Sequence, residues 1–346
     1  MKLVIQIPCF NEEQTLPQTI RDLPKSIPGI DEIEILVVDD GSTDRTVEVA
    51  RSCGAHHVLS LGTNRGLGRA FALGLEKALS LRADIVVNTD GDNQYAGADV
   101  AKLVEPVLRH QADMVVGCRP ITNHPEFSPL KKMLQLLGSW TLRLLSNTNV
   151  RDASSGFRAF SKETCKRLMI YTRFSYCMET LIQAGNSHLR VDSVDIRVNP
   201  TTRQSRLFKS LPEYLWKSGS TMVSMFVHYR PSLFFGLLAA ANFAGAVFIG
   251  LRYLYHVYLA PAATGDHRTY IPSLILLAVL AIIGVGLATL AIIAELLRMN
   301  RGLIEEMVYR LRRLALEHAG STPASPQNEH PAEKSQAAIQ GNDRFH

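Results

Sequence analysis

The chain has 346 residues, with 37 Lys and Arg against 32 Asp and Glu, a formal net charge of +5, and 46% hydrophobic residues. This composition excludes a wholly disordered chain, a collagen-like repeat and a disulfide scaffold, and the charge is too small to indicate a nucleic-acid partner. The five cysteines are scattered and form no CxxC pair, which is typical of reduced thiols facing a cytosol. The mean hydropathy of +0.04 is high for a soluble enzyme, because most of the apolar excess lies between Leu233 and Leu297.

Short β-branched runs alternate with amphipathic stretches over the first 120 residues. The predicted strands are Leu3–Ile7, Ile33–Asp39, Ala55–Leu59, Ile85–Asp90 and Met114–Gly117. The predicted helices between them are Gln14–Leu23, Thr43–Arg51, Arg69–Leu79 and Val100–Arg109. Two further strands are predicted, at Phe157–Phe160 and around Val191–Val198. Alternation at this spacing predicts βαβ units, a mostly parallel sheet and the α/β fold class.

Two long apolar runs without a charged residue follow this α/β region. They are Leu233–Leu251 and Leu274–Ala294, and about 19 residues at 1.5 Å each reach across most of the apolar core of a bilayer. Buried core helices of a soluble protein are the alternative, but such helices rarely reach this length without polar interruption. We therefore predict a two-helix transmembrane hairpin over residues 231–297, with spans at about 233–251 and 274–297.

The basic residues that follow the second run determine the predicted orientation. They are Arg298, Arg301, Arg310, Arg312 and Arg313. The connection between the runs has few basic groups, so the positive-inside rule places residues 1–230 and the C-terminus in the cytosol of a multi-pass protein of the cytoplasmic membrane. Residues 211–230 are predicted to form a juxtamembrane amphipathic helix at the interface, with a core-facing helix as the alternative. Residues 298–320 are predicted to form a basic cytosolic helix, and residues 321–346 a disordered tail.

Acidic residues close two of the predicted strands. Asp39 and Asp40 follow the second strand, and Asp90 and Asp92 follow the fourth. The carboxyl ends of strands are where ligands bind in open α/β sheets. Residues at i and i+2 of an extended segment project to one side, so Asp90 and Asp92 can converge on one hard cation that also carries diphosphate oxygens. Asp-x-Asp is common in solvated turns, but its place after a buried strand favours a cation site.

Seven short blocks then occur in a fixed order. They are Ile7–Glu13, Val37–Asp44, Asn64–Gly68, Thr89–Tyr95, Gly117–Arg119, Asp152–Arg158 and Thr202–Arg206. Together they resemble glycosyltransferase family 2, in its dolichyl-phosphate mannose synthase-like branch, over roughly residues 1–210. The C-terminal hairpin resembles that of the bacterial polyprenyl-phosphate glycosyltransferases of this branch. The resemblance implies a GT-A domain over residues 1–210 that moves one sugar, with inversion, from a UDP- or GDP-linked donor to undecaprenyl or dolichyl phosphate.

The resemblance also implies roles for individual residues. The nucleotide-sugar donor would be bound by Pro8, Asn11, Glu12, Asp39, Asp40 and Asp90. A Mg²⁺ or Mn²⁺ ion would be bound by Asp90, Asp92 and Gln94. The lipid phosphate would be bound by Arg119, Arg158, Arg203, Ser205 and Arg206. The residues expected to be catalytic are Asp92, Arg119, Arg158 and Arg203. The family further implies a homo-oligomer, either a dimer or a tetramer.

The chemistry of the acceptor fits these residue types. A phosphate monoester is largely dianionic at pH 7 and needs little help from a general base. It needs guanidinium groups to hold it and a cation to stabilise the departing diphosphate. A hydroxyl acceptor, on a lipid or a glycan, would instead need a base, for which Glu179 is the candidate; a salt bridge is its alternative. A non-catalytic membrane scaffold that retains the fold is the third hypothesis. Separately, the absence of a Gln-x-x-Arg-Trp motif argues against chain elongation.

Overall fold

A computed structural model describes residues 1–120, 143, 146, 148–170, 176–200, 219–220, 223–224, 226–259 and 270–321. Within these residues seven strands form one sheet, in the order β3-β2-β1-β4-β6-β5-β7. The strands are β1 (Lys2–Cys9), β2 (Glu32–Asp39), β3 (His57–Ser60), β4 (Ile85–Asn88), β5 (Met114–Cys118), β6 (Arg158–Ser161) and β7 (Val191–Asp195). Strand β6 is antiparallel to both neighbours and the other pairs are parallel. The predicted mostly parallel sheet is confirmed, with small shifts at the strand ends.

Helices connect the strands and cover the sheet. The described helices are α1 (Leu16–Asp22), α2 (Thr46–Ser52), α3 (Leu67–Ser80), α4 (Val100–Leu108), α5 (Lys162–Arg167), α6 (Tyr176–Asn186), α7 (Pro231–Leu254) and α8 (Ile271–Ser321). Strand β1 is buried from Leu3 to Cys9. Leu3, Ile5 and Ile7 join one core cluster and Val4 joins the other, because successive side chains of a strand point to opposite faces. Each fully buried aliphatic side chain contributes about 1.5–3 kcal/mol, so this sheet is a firm base for the loops at its edge.

Helices α7 and α8 lie side by side along an apolar contact. In the described part of the chain, Pro231–Tyr258 and Ile271–Glu317 are long and apolar enough to cross a membrane, with mean hydropathies of 2.0 and 2.8. A methyl group added to Gly250 would lie 3.0 Å from Leu277, and one added to Gly284 would lie 3.0 Å from Phe243. These glycines therefore let the two helices approach closely, as small residues do between membrane helices.

The basic segment after the second apolar run, residues 298–320, is helical as predicted. It is not a separate helix. It continues α8, which runs for 51 residues without a break. Ion pairs one helical turn apart, such as Arg310 with Glu306 and Arg313 with Glu317, support an exposed helix. No proline interrupts α8 beyond its second residue, so nothing ends the helix at the membrane boundary.

Part of the prediction lies outside the described residues. This holds for residues 201–210, for most of the predicted juxtamembrane helix at 211–230, and for the predicted tail from residue 322 onward. Within 211–230, residues 226–229 are helical.

The loop after β2 packs closely against the loop that precedes α3. Gly41 has φ +75°, and a methyl group there would lie 2.4 Å from the carbonyl carbon of Thr63. The Asp40 carboxylate accepts hydrogen bonds from the backbone N–H groups of Arg65 (2.7 Å) and Gly66 (2.9 Å). Glycine at position 41 therefore allows the two loops to form one wall at the carboxyl edge of the sheet.

We predict that Gly41→Ala lowers the Tm at least twice as much as Gly54→Ala, measured by thermal unfolding of the purified protein. Gly54 also has a positive φ, +92°, but nothing lies within 4 Å of its added methyl group. The control therefore reports only the left-handed backbone, which costs about 1–2 kcal/mol in a residue other than glycine. Equal losses in the two variants would contradict the close contact between the loops.

Candidate donor and phosphate site

The first loops of the site hold each other at the carboxyl ends of β1 and β2. Asn11 has φ 56°, and its backbone N–H donates to Ser42 Oγ at 2.9 Å while its side-chain oxygen accepts from the Thr43 N–H at 2.8 Å. The Glu12 N–H donates to Thr46 Oγ1 at 2.8 Å. The buried Pro8 lies in β1 directly before this loop. The residues predicted to bind the nucleotide therefore share one edge of the sheet.

Asp39 and Asp40 are both buried, 2% and 4% exposed. Asp39 accepts from the Ser42 N–H at 2.9 Å and from Ser60 Oγ at 2.7 Å, using one carboxylate oxygen for each. Asp40 binds the loop before α3, as described above. The structure thus shows these carboxylates fixing the walls of the cleft, with loop groups as their partners.

Asp90 and Asp92 lie together at the end of β4. Burial, followed by repulsion from Asp92, raises the pKa of Asp90 from 3.8 to about 7, and Arg119 and the Tyr95 hydroxyl act in the opposite direction. Asp92 accepts a hydrogen bond from the backbone N–H of Gln94 at 3.1 Å. Two carboxylates that repel each other in this way can be ligands of a divalent cation, which stabilises the charged form of both.

The pair fits a magnesium or manganese ion whose remaining ligands come from a substrate and from water. Across the residues that the structure describes, no group of three or more His, Cys, Asp or Glu side chains forms a metal cluster. Mg²⁺ is commonly bound by one or two carboxylates together with substrate phosphates and waters. The side-chain amide of Gln94 stays a predicted ligand.

A buried polar network positions this aspartate pair from below. Asn88, the last residue of β4, accepts from Gln6 Nε2 at 2.9 Å and donates to the Gly156 carbonyl at 2.8 Å and to the Tyr176 hydroxyl at 3.2 Å. A methyl group on Gly156 would lie 3.0 Å from Asp90 Oδ1 and 2.6 Å from the Tyr176 hydroxyl. The ends of β4, β6 and α6 therefore converge on Asp90.

Arg119 is held beside these carboxylates by Asp152. Its Nε donates to Asp152 Oδ2 at 2.7 Å and its Nη2 donates to Asp152 Oδ1 at 3.1 Å and to Ser154 Oγ at 2.8 Å. The side chain of Asp152 is fully buried and that of Arg119 is 15% exposed. The guanidinium is thus fixed in a two-pronged ion pair, and its charge acts on Asp90.

The structure corrects the prediction for Arg158. This side chain is fully buried and all three guanidinium nitrogens donate within the protein, to the carbonyls of Ser155, Ala153 and Cys177 and to Thr180 Oγ1. Arg158 lies in β6, between β4 and β5 in the sheet, so the guanidinium ties loop and helix carbonyls together. In this position it is a structural group rather than a phosphate ligand.

Three other predicted residues, Arg203, Ser205 and Arg206, lie outside the described residues.

Glu179 lies on α6 and is 1% exposed. Its carboxylate accepts from the Tyr229 hydroxyl at 3.5 Å, and Arg301 Nη2 donates to the same hydroxyl at 3.3 Å. The carboxylate therefore belongs to a network that reaches α8. Glu179 also stands in the first turn of α6, and these contacts fit a structural charge more than the role of a base.

Sequence reasoning gave no role to three residues that the structure places at the site. Tyr95 accepts a hydrogen bond from the Gly156 N–H at 3.1 Å and Tyr176 accepts one from Asn88, while Asp152 anchors Arg119. Two of them, Tyr95 and Asp152, stand inside blocks that carried the family resemblance. Asp152 stands in the same sequence block as Arg158, one of the arginines predicted to bind phosphate, and this was a usable signal for Asp152. Nothing in the sequence indicated where Tyr176 would pack.

The comparisons agree with this architecture. The family model described as Glycosyl transferase family 2 matches residues 4–169. A UDP-N-acetylglucosamine–dolichyl-phosphate N-acetylglucosaminyltransferase of Methanococcus voltae is 34% identical over 213 residues, which is 55% of this chain and 83% of that protein. An undecaprenyl-phosphate mannosyltransferase of Micrococcus luteus is 31% identical over 174 residues, 49% and 70% of the two chains. The chain belongs to glycosyltransferase family 2, and it is a glycosyltransferase.

The fold is also shared with a solved enzyme. Glucosyl-3-phosphoglycerate synthase from Mycobacterium tuberculosis, in a complex with Mn²⁺, UDP and glucosyl-3-phosphoglycerate, superposes with a TM-score of 0.51 at 20% identity. The match covers 65% of this chain and 78% of that one. The predicted family and GT-A fold are therefore confirmed.

The raised pKa of Asp90 predicts a pH-dependent stability for the metal-free protein. Between the ordinary Asp pKa of 3.8 and about 7, the folded state keeps a proton that the unfolded chain has lost, so the free energy of unfolding falls as the pH rises. A Mg²⁺ ion held by this pair would bind its deprotonated form, so we expect Mg²⁺ to raise the Tm more at about pH 8 than at about pH 5.5.

Thermal unfolding across this pH range, with and without Mg²⁺, measures both effects. Asp90→Asn should flatten the pH dependence and remove the added stabilisation by Mg²⁺. Asp195→Asn changes an exposed carboxylate and should leave both as they are. A wild-type Tm that rises with pH over this interval, or that ignores Mg²⁺ at high pH, would contradict the assignment.

Proposed function

We propose that this enzyme transfers one sugar from a nucleotide-sugar donor to a polyprenyl phosphate at the cytosolic face of a membrane, with inversion and with Mg²⁺ or Mn²⁺. The observation that carries the proposal is the aspartate pair Asp90–Asp92 beside the anchored guanidinium of Arg119. Two relatives whose names specify dolichyl phosphate or undecaprenyl phosphate support the acceptor class. The solved neighbour with Mn²⁺ and UDP has the same fold, and its contents are compatible with such a site.

The reaction needs one bond to form and one to break. An oxygen of the acceptor phosphate attacks the anomeric carbon of the donor sugar while the bond from that carbon to the diphosphate breaks on the opposite face. The acceptor is already largely dianionic at pH 7, so no protein base has to remove a proton. A divalent cation held by Asp90 and Asp92 would stabilise the negative charge of the departing nucleoside diphosphate.

Arg119 is suited to orient the acceptor phosphate. Asp152 and Ser154 take the Nε and Nη2 donors and fix the plane of the guanidinium fork. The remaining N–H groups of the fork, on Nη1, are suited to phosphate oxygens. Asp152 also balances the charge of Arg119. The arginine is therefore not an uncompensated cation when no phosphate is bound. Arg203, Ser205 and Arg206 would complete the phosphate site, and Pro8, Asn11, Glu12, Asp39 and Asp40 would form the nucleoside side of the cleft.

The position of the site relative to the helices supports a lipid acceptor. Helix α6 begins at Tyr176, which contacts Asn88 below Asp90. One turn later, Glu179 is linked through Tyr229 to Arg301 of α8. Arg301 lies four residues, about 6 Å of helix, beyond residue 297, where the predicted second span ends. The aspartates are therefore separated from the membrane-proximal part of α8 by one short chain of contacts.

A direct assay tests the proposal. The full chain in lipid nanodiscs is given UDP-glucose, UDP-N-acetylglucosamine or GDP-mannose with undecaprenyl phosphate or with diacylglycerol, and lipid products are identified by mass spectrometry. We expect one hexose or N-acetylhexosamine on the polyprenyl phosphate, and no product after chelation of divalent ions. Asp92→Asn should lower turnover by at least about 100-fold, whereas Asp192→Asn, at an exposed strand position, should not.

Kinetics of Arg119→Lys separate acceptor from donor binding. Lysine keeps the charge but loses the fork, so the KM for the acceptor should rise more than the KM for the donor. Arg190→Lys, in an exposed ion pair with Asp113, is the matched control. A product on diacylglycerol alone would favour the hydroxyl-acceptor hypothesis, and a larger effect on the donor KM would move Arg119 to the donor side.

A further inference from the structure

The cytosolic half of α8 has one face turned toward the catalytic domain. From Arg301 to Glu317 the side chains that are not fully exposed are those of Arg301, Glu305, Val308, Tyr309, Arg312 and Leu316. Their spacing of three and four residues places them on a single stripe of the helix. Of these residues, only Arg301 entered the function proposed above; the contacts of the others give the stripe a further role.

Arg312 connects this stripe to the C-terminal end of α5 and to α3. Its Nη1 donates to the carbonyls of Leu168 (2.7 Å) and Lys166 (3.3 Å), and its Nη2 donates to Glu76 Oε1 at 3.0 Å. The last carbonyls of a helix lack partners within the helix and carry the negative end of its dipole. A guanidinium is therefore a well-matched ligand for them, and it bonds two elements of the catalytic domain at once.

Tyr309 and Leu316 make the contact more specific. The Tyr309 hydroxyl donates to Glu163 Oε1 at the start of α5, and the Arg167 guanidinium lies 4.3 Å from the centre of the Tyr309 ring. Leu316 packs against the core cluster that contains Leu75 and Cys165. In contrast, Arg310 pairs with Glu306 of its own helix. Arg313 pairs with Glu317 and also interacts with Tyr309.

The contact gives the catalytic domain a second attachment to the membrane helices. The first is the chain itself, which enters α7 at Pro231 after the helical residues 226–229. The second is α8, which runs unbroken from the apolar segment to Arg312, 15 residues and about 22 Å beyond Leu297. A domain joined at one point can swivel about its linker; two attachments separated by this length restrict both its height and its tilt.

We propose that the stripe from Arg301 to Leu316 is a brace that holds the catalytic cleft at a fixed height and tilt above the membrane, with Tyr309 and Arg312 as positioning residues. This inference rests on the proposed function, because its benefit is to a phosphate that is anchored in the bilayer. Such a phosphate cannot diffuse to a misplaced cleft, so the cleft must be presented to it. A soluble acceptor reaches the cleft in any orientation.

The test compares two acceptors in the same nanodiscs: undecaprenyl phosphate in the bilayer and a short, water-soluble prenyl phosphate. Arg312→Ala and Tyr309→Phe should raise the KM for the bilayer acceptor about tenfold, because small misplacements are costly in catalysis. The kcat and KM for the soluble acceptor should change less than twofold. Arg310→Ala, which alters an exposed arginine of the same helix paired with Glu306, should behave as the wild type with both acceptors.

A second readout does not depend on activity. Cys165 is buried on α5 and lines a cavity of about 230 Å³ with Arg69, Glu76, Leu168 and Arg312. Release of α8 should expose it, so alkylation of Cys165 in the folded protein, followed by peptide mass spectrometry, should be faster in Arg312→Ala than in Arg310→Ala. Cys9, which is buried in β1 at 3% exposure, is the internal reference for general unfolding.

Three results would overturn the brace. Unchanged Cys165 alkylation together with an unchanged KM would show that the contact does not hold the domain. Faster alkylation with an unchanged KM for the bilayer acceptor would show a contact without a positioning role. Equal losses with both acceptors and a lower Tm would show a purely structural role. If the wild type modifies no polyprenyl phosphate, the proposed function fails and the brace with it, while Cys165 alkylation still reports whether the helix is docked.

Discussion

The repulsion between Asp90 and Asp92 is the interaction on which the rest of the structure depends. The end of β4 places two carboxylates where burial and proximity raise the pKa of Asp90 to about 7. Such a pair costs stability, and strongly perturbed pKa values cluster at functional sites. The surrounding groups keep the pair in place: Tyr95 and Asn88 fix the base of the cleft, and Arg119 offsets part of the negative charge. In the proposed function, a divalent cation and an anionic diphosphate would complete the charge balance of this edge.

Two arginines that looked equivalent in the sequence have opposite functions in the fold. Arg119 directly follows β5 at the carboxyl edge, where Asp152 anchors it and leaves it partly exposed. Arg158 begins the antiparallel strand β6, and its guanidinium is directed into carbonyls of the surrounding loop and α6. The same residue type thus lies at the cleft in one case and stabilises the interior in the other. Only the three-dimensional contacts of the donor groups distinguish them.

The sequence predicted the features that depend on local periodicity. Buried runs such as Leu3–Ile7 and Ile85–Asp90, and the two apolar segments, specify strands and helices by composition alone. It failed where contacts between distant segments decide the outcome. The reversed direction of β6, the pairing of Arg119 with Asp152 and the docking of Arg312 on Glu76 of α3 join residues 33 to 236 positions apart. Motif order located the cleft, but it gave no view of which side chains face the cleft and which support it.

Electron–nuclear double resonance of Mn²⁺ bound to the full chain tests the central claim most directly. With a nucleotide-sugar donor present, the spectrum should show ³¹P couplings from a diphosphate bound to the manganese. Asp92→Asn should remove the bound Mn²⁺ signal, and Asp192→Asn should preserve it. A Mn²⁺ spectrum with no ³¹P coupling, or one that is unchanged in Asp92→Asn, would contradict a cation held between these aspartates and the donor.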